Sequence, residues 1–166
     1  MTLEEMVDAH VLDVRRYLYR RLVGSADPAS TADDLTADVL VIAWRRRADI
    51  PEGAELPWLY AVARRVLANY RRRPQVLPSA DLGELDAIDE SDPAEIVTDD
   101  AVLAEAWRGL TPRDREILRL VAWEGLSGAQ LATALGISEG GAAAALSRAR
   151  TRFEDSVAGV QGTASS

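Results

Sequence analysis

The feature that most constrains this chain is a stretch of 31 residues, 76–106, that carries ten acids and no base. Most of it, PQVLPSADLGELDAIDESDPAEIVTDD from Pro74 to about Asp100, holds three prolines and shows no helical apolar period. Such a segment cannot bury enough apolar surface to offset the entropy of ordering it, so it reads as a flexible, solvated linker. It divides the 166 residues into two small modules, each of which must build its own core.

The same feature explains the charge. A net charge of -8 argues at first sight against nucleic acid, because phosphates repel an anionic protein. The acidity, however, sits in the middle: residues 1–75 hold 12 Arg against 11 acids, and residues 107–166 hold 7 Arg against 6 acids. All 19 basic residues are Arg. Codon bias in a GC-rich genome accounts for that choice, and it also suits phosphate and guanine contacts.

Helical periodicity fills both modules. Leu3 to Val23 predicts one helix, Ala32 to Arg47 a second with Leu35, Val39 and Ile42 on one stripe, and Leu56 to Arg73 a third with Leu59, Val62, Val66 and Tyr70 in step. Pro51 and Gly53 separate the last two. Beyond the linker, Val102 to Gly109 predicts a short helix. Thr111 as N-cap, Pro112 in the first turn and Asp114 three residues after the cap open another, which runs to Glu124 and stops at Gly125. Ser127 with Gln130 forms a capping-box pattern before a short helix ending at Leu135. Gly136 fits a turn, and Ser138 caps a last helix to about Val157. No segment alternates like a strand, so the expected class is all-α.

Several function classes drop out. With no Cys and one His, disulfide scaffolds, thiolate metal sites and cysteine nucleophiles are excluded, and no cofactor is expected. No phosphate loop, His-Glu metal motif or nucleophile elbow occurs, which argues against an enzyme. His10 reads as a surface or core residue of the first helix. The acidic start lacks a signal peptide's basic and apolar regions, and no stretch approaches the roughly 18 apolar residues of a membrane span. A cytoplasmic protein without membrane insertion is expected.

Two constellations point to nucleic acid. In LSGAQLATALGISEGGAAAALSRARTRF, two helices meet across a glycine turn, which is a helix-turn-helix. Leu131, Ala132, Leu135, Ile137 and Leu146 can form its small core, and Arg148, Arg150 and Arg152 lie along the far part of the last helix. An alanine-rich hairpin with solvated arginines has similar spacing. In the first module, Arg64, Arg65, Arg71, Arg72 and Arg73 share a helix with Trp58, Tyr60 and Tyr70. Arginines that follow a backbone and rings that stack on unpaired bases are how single strands are held. The other reading makes Trp58 and Tyr70 core residues and the arginines a solvated helix end.

These residues resemble the extracytoplasmic-function sigma factors, which guide bacterial RNA polymerase to promoters. DDLTADVLVIAW (Asp33 to Trp44) is similar to the family's core-binding helix of region two, and LPWLYAVARRVLANYRRR (Leu56 to Arg73) to its promoter-melting helix. LTPRDREILRLVAWEGLSGAQLATALGISEGGAAAALSRAR (Leu110 to Arg150) is similar to region four, which binds the minus-35 element. The resemblance implies a region-two bundle over 1–75, an acidic linker over 76–101, a region-four helix-turn-helix over 102–158 and a disordered tail over 159–166.

It also implies roles. Asp34, Leu35, Asp38, Val39, Ile42 and Trp44 would dock on the clamp coiled coil of core RNA polymerase. Ile50, Pro51, Glu52 and Gly53 would form the pocket for a flipped minus-10 base, with Trp58, Arg64, Arg65, Asn69 and Arg72 along the melted non-template strand. Ser138, Glu139, Gly140, Ser147, Arg148 and Arg150 would meet minus-35 duplex DNA. The linker would thread toward the polymerase cleft, where its acids mimic nucleic acid or act as a passive tether. An anti-sigma factor covering both modules is the family's usual inhibitor.

Two departures bear on mechanism. The recognition helix usually carries Thr, Val and basic residues after its Gly, but here Gly141 is followed by Ala142, Ala143, Ala144 and Ala145. A bidentate base contact discriminates by roughly 1–3 kcal/mol, so direct readout is expected to be weak, leaving backbone amides and DNA shape. The same run fits a module that has turned toward protein binding. Arg65 stands where the family commonly has Asn, which leaves the preferred base open and suits stacking or a phosphate grip. The alternatives are a degenerate sigma-like protein that binds polymerase or DNA without melting promoters, and a helix-turn-helix regulator whose first module senses a signal.

Overall fold

A computed structural model describes residues 2–72 and 98–164. It contains helices and turns and, among the described residues, no strand. The expected linker falls almost wholly outside the described residues. The chain divides into two compact units.

The first unit is a three-helix bundle: α1 (Leu3–Leu22), α2 (Pro28–Arg45) and α3 (Glu55–Arg72). Thr2 and Glu5 form a capping box that opens α1. Asp27 caps α2, accepting from the Ser30 N–H with Pro28 in the first turn. That helix therefore begins four residues before the sequence reading puts it, because the cap and proline set its start although the first apolar stripe residue comes later. Val14, Tyr17 and Leu18 of α1, Leu35, Val39 and Ala43 of α2, and Leu59, Val62 and Leu67 of α3 form the core. Inside it the Tyr17 and Tyr60 rings stack with centroids 5.2 Å apart. The Arg21 guanidinium lies 3.5 Å from the Tyr17 ring centre, and Arg71 donates to the Arg21 carbonyl.

The second unit holds α4 (Ala101–Arg108), α5 (Pro112–Ala122), most of α6 (Gly128–Leu135), and α7 (Glu139–Ala164). Asp100 caps α4 by accepting from the N–H groups of Val102 and Leu103. Thr111 caps α5 as expected, accepting from the Asp114 N–H. At the end of α6 the Gly136 N–H bonds to the Thr133 carbonyl and the Ile137 N–H to the Ala132 carbonyl. With Gly136 at φ 68 this is a Schellman turn, which a left-handed glycine permits. Ser138 then accepts from the Gly141 N–H and starts α7.

Two ends differ from the sequence reading. Helix α5 stops at Ala122, with Gly125 at φ 67 just beyond. The segment 159–166, read as a disordered tail, instead continues α7 to Ala164. No proline interrupts it, the part of α7 just before it is anchored on α4, and two glycines cost a helix only about 1 kcal/mol each. The anchoring contacts are an edge-on pair of Trp107 and Phe153, 6.1 Å apart, and a hydrogen bond from the Ser156 hydroxyl to the Ala106 carbonyl.

One ion pair clips α5 to α7. Arg152 Nη1 donates to both carboxylate oxygens of Asp114 at 2.9 Å, and the Thr111 hydroxyl donates to the same carboxylate. The Asp114 side chain is 4% exposed, so losing its partner strands a buried charge. Arg152→Ala is expected to destabilise the chain by about 1–3 kcal/mol, read as a lower denaturation midpoint, with Arg152→Lys in between.

Candidate nucleic-acid interface

Helical spacing decides which of the α3 candidates act together. Trp58, Arg65, Asn69 and Arg72 are seven, four and three residues apart, which puts them within about 60° of one another around the axis. Trp58 is half-buried, Arg65 buried, Asn69 and Arg72 exposed. Arg64 is roughly 100° away from Arg65 and so leaves this line. Tyr60, counted among the aromatics of the helix, is a core residue stacked on Tyr17. Trp58 remains as the ring on the line.

The loop before α3 is shaped by its own side chains. A 3₁₀ turn spans Arg47–Asp49, with Arg46 Nε bonded to Asp49 Oδ2 at 2.9 Å. Gly53 takes φ 76 and donates its N–H to Glu55 Oε1 at 2.9 Å; that bond, first among its causes, holds the Glu55 carboxyl below the usual glutamate range. A Cβ at Gly53 would meet open space, so backbone conformation, and not room, demands glycine here. Ile50 is half-buried, while Pro51, Glu52 and Gly53 are exposed beside the start of α3.

Arg65 is the residue whose environment the sequence could not convey. It is 7% exposed, and its Nε and Nη2 atoms are buried without a hydrogen-bond partner among the described residues. Burial first, and then repulsion from Arg64 and Arg46, lowers its pKa to about 10. A buried guanidinium with two other cations near it is held at a cost.

Helix α2 carries a separate surface. Leu35 and Val39, assigned from the sequence to a partner surface, are 5% and 0% exposed. They belong to the core, because the stripe that suggested docking is the stripe that faces α1 and α3. Ile42 is half-buried. Asp34, Val41 and Trp44 of α2 are exposed, Val41 at 47% and Trp44 at 57%, with Asp38 half-buried beside them. Val41 was missed, though its place four residues before Arg45 and seven after Asp34 could have marked it. The Arg47 guanidinium sits 5.1 Å from the Trp44 ring centre. Burial, followed by the neighbouring Asp34, raises the pKa of Asp38.

On α7 the buried side is Ala142, Ala145 and Ala149. Ser138, Glu139, Gly140, Ala143, Ala144, Ser147, Arg148 and Arg150 are exposed. Gly140, Ala143, Ala144 and Ser147 form a smooth strip, and Arg148 and Arg150 flank it, on the order of 160° apart around the axis. Arg152, grouped with them in sequence, is turned to Asp114. Among the described residues no group of His, Cys, Asp and Glu could hold a metal, and no helix is long and apolar enough to cross a membrane.

The two units correspond to two family models. Residues 6–75 match Sigma-70 region 2 and residues 101–153 match Sigma-70, region 4, so the chain is built of sigma-70 modules in that order. It is similar to ECF RNA polymerase sigma factor BldN of Streptomyces coelicolor, 32% identical over 142 residues, covering 81% of this chain and 52% of BldN. It is also similar to ECF RNA polymerase sigma factor SigL of Mycobacterium tuberculosis, 30% identical over 140 residues, covering 81% of this chain and 77% of SigL. A third relative is the probable RNA polymerase sigma factor RfaY of Xanthomonas campestris, 34% identical over 130 residues, 73% of this chain and 32% of RfaY. The chain belongs to the ECF RNA polymerase sigma factors. It spans about half the length of BldN and a third of RfaY.

The unpaired charge of Arg65 gives a stability test. Replacing it with an apolar side chain of similar length removes the desolvation and repulsion together. Arg65→Met is expected to raise the chain's stability by about 1 kcal/mol or more, seen as a higher melting temperature; a lower one would mean that the guanidinium is compensated in the free protein.

Proposed function

We propose that this chain binds core RNA polymerase and directs it to promoters, acting as a specificity factor without catalysis of its own, in the cytoplasm where polymerase works. The observation that carries this reading is the line Trp58, Arg65, Asn69 and Arg72 on α3, beside the exposed loop Ile50 to Gly53, in a chain with region 2 and region 4 modules in order. A ring, an amide and two guanidinium groups on one face suit an unpaired strand, and the loop offers exposed backbone for a base that has left the stack. Arg64 acts from the neighbouring face, on the strand's backbone.

The α2 surface docks the polymerase. Asp34 and Asp38 supply negative charge toward the start of the helix, and Val41 and Trp44 an apolar patch toward its end. A partner presenting basic and apolar side chains fits both. Asp38 is informative because its carboxylate is strained in the free chain by burial and by Asp34. A carboxyl group whose folded pKa is raised contributes stability at low pH that is lost as pH rises through that pKa. Asp38→Asn is therefore expected to leave the melting temperature at pH 7 unchanged or higher while weakening core polymerase binding. Trp44→Ala is expected to cost roughly tenfold or more in the same pull-down or anisotropy titration, as an exposed anchor does when truncated.

On α7 the smooth strip permits close approach to duplex DNA but offers few groups to read bases. Arg148 and Arg150, one on each flank, reach the two phosphate backbones that border a groove, with Gly140 and Ser147 on the strip between them and Ser138 and Glu139 at the helix start. Transcription by core polymerase from a library of randomised promoters, with this chain as the added factor, tests the whole reading. The expected result is a defined minus-10 motif and a weak minus-35 motif. Arg148→Ala and Arg150→Ala should lower duplex affinity evenly across sequences. Polymerase binding without transcripts would favour a degenerate sigma-like protein, an outcome that the alanine strip on α7 keeps open.

A further inference from the structure

We infer that Arg65, with Arg46 beside it, holds a single phosphodiester of the unpaired strand, so that this chain grips the strand's backbone at the middle of α3 instead of reading a base there. The inference rests on the promoter-strand reading of α3 and adds what Arg65 recognises. Three independent features point to an anionic oxygen ligand. Two guanidinium nitrogens of Arg65 are buried with no acceptor among the described residues. Among the described residues, the charges that act on it, Arg64 and Arg46, are both positive. Arg46 is fixed at the end of α2 by its Nε bond to Asp49, which directs that cation while its terminal nitrogens lie outside the bond.

The planar fork of Arg matches the two unesterified oxygens of a phosphodiester, and a single negative charge placed between Arg65 and Arg46 turns their mutual repulsion into attraction to a shared partner. Position selects a phosphodiester over a carboxylate. Trp58 and Arg72 lie two helical turns before and after Arg65, about 10 Å on each side along the axis, on the same face. A strand that stacks a base on Trp58 and meets Arg72 further on must carry its backbone past Arg65. Asn69 and Arg72 are exposed, so that end of the line is open, and the long Arg65 side chain can swing toward it. The unfavourable burial of Arg65 in the free chain favours that movement once a phosphate is present.

The test uses holoenzyme assembled from core polymerase and the full chain, titrated onto a labelled single-stranded promoter oligonucleotide over a range of salt concentrations. Each phosphate contact on a single strand contributes about 0.7 to the slope of log affinity against log salt. Arg65→Gln is expected to lower that slope by about 0.7, equally on oligonucleotides that differ in base sequence, while Arg65→Lys keeps the slope. A scan of neutral methylphosphonate substitutions should find one position that weakens the wild type and has no further effect on Arg65→Gln. The melting temperature of Arg65→Gln, at or above that of the wild type, separates lost contact from misfolding.

An unchanged slope, or an effect confined to one base identity, overturns the inference. So does competition by an acidic peptide that depends on Arg65 without any coupled phosphate position, since that assigns the site to carboxylates. If transcription and strand binding are intact in the wild type and Arg65→Gln changes neither slope nor scan, only this inference fails. If the wild-type holoenzyme neither binds the strand nor transcribes, the promoter-strand reading fails with it.

Discussion

The contact of Tyr60 with Tyr17 sets the rotation of α3 about its own axis, and the rest of the first unit depends on that setting. With the rings stacked 5.2 Å apart and Arg21 against the Tyr17 ring, Tyr60 cannot turn outward. Residues about 100° further round the helix are then fixed in turn. The Trp58 to Arg72 line points where it does because the opposite side of the helix is occupied by Tyr60, Ala63 and Leu67 in the core. A rotation of one residue would bring Arg64 onto that line and carry Arg65 off it.

The second unit reaches the same end with less apolar bulk. Its last helix packs through alanines at 142, 145 and 149, which bring the helix axis close to its neighbours but contribute little area each. Polar geometry adds to it: the Arg152 clip on Asp114 and the Thr111 cap. The small side chains also appear on the outward strip, so the helix is slender on both sides.

Most of the helices were legible in the sequence because their ends are written in local chemistry. Thr111 with Asp114, Gly136 and Ser138 each act within a few residues of themselves, and the structure uses all three as caps or turns. What was not legible is what depends on several elements at once. The α2 stripe was visible, but whether it faced a partner or the interior depended on where α1 and α3 lie, and Leu35 and Val39 went to the interior. Tyr60 was visible as an aromatic among arginines, and only its contact with Tyr17 shows it to be core. The burial of Arg65 depends on the end of α2 meeting the middle of α3 across the loop, 19 residues on from Arg46, a distance no local pattern encodes. The end of α7 was misjudged for another reason: its composition is that of a tail, yet contacts made earlier on the same helix hold it in line.

That helix runs unbroken from Glu139 to Ala164, about 39 Å at 1.5 Å per residue. It is a rigid rod, gripped near its middle by Phe153 on Trp107 and by Ser156 on Ala106, both contacts to α4. Helix α4 is in turn the first described element after the acidic segment. Helix α5 is clipped to the same rod at Arg152, one residue before Phe153, so one short stretch of α7 fixes its direction against two helices at once.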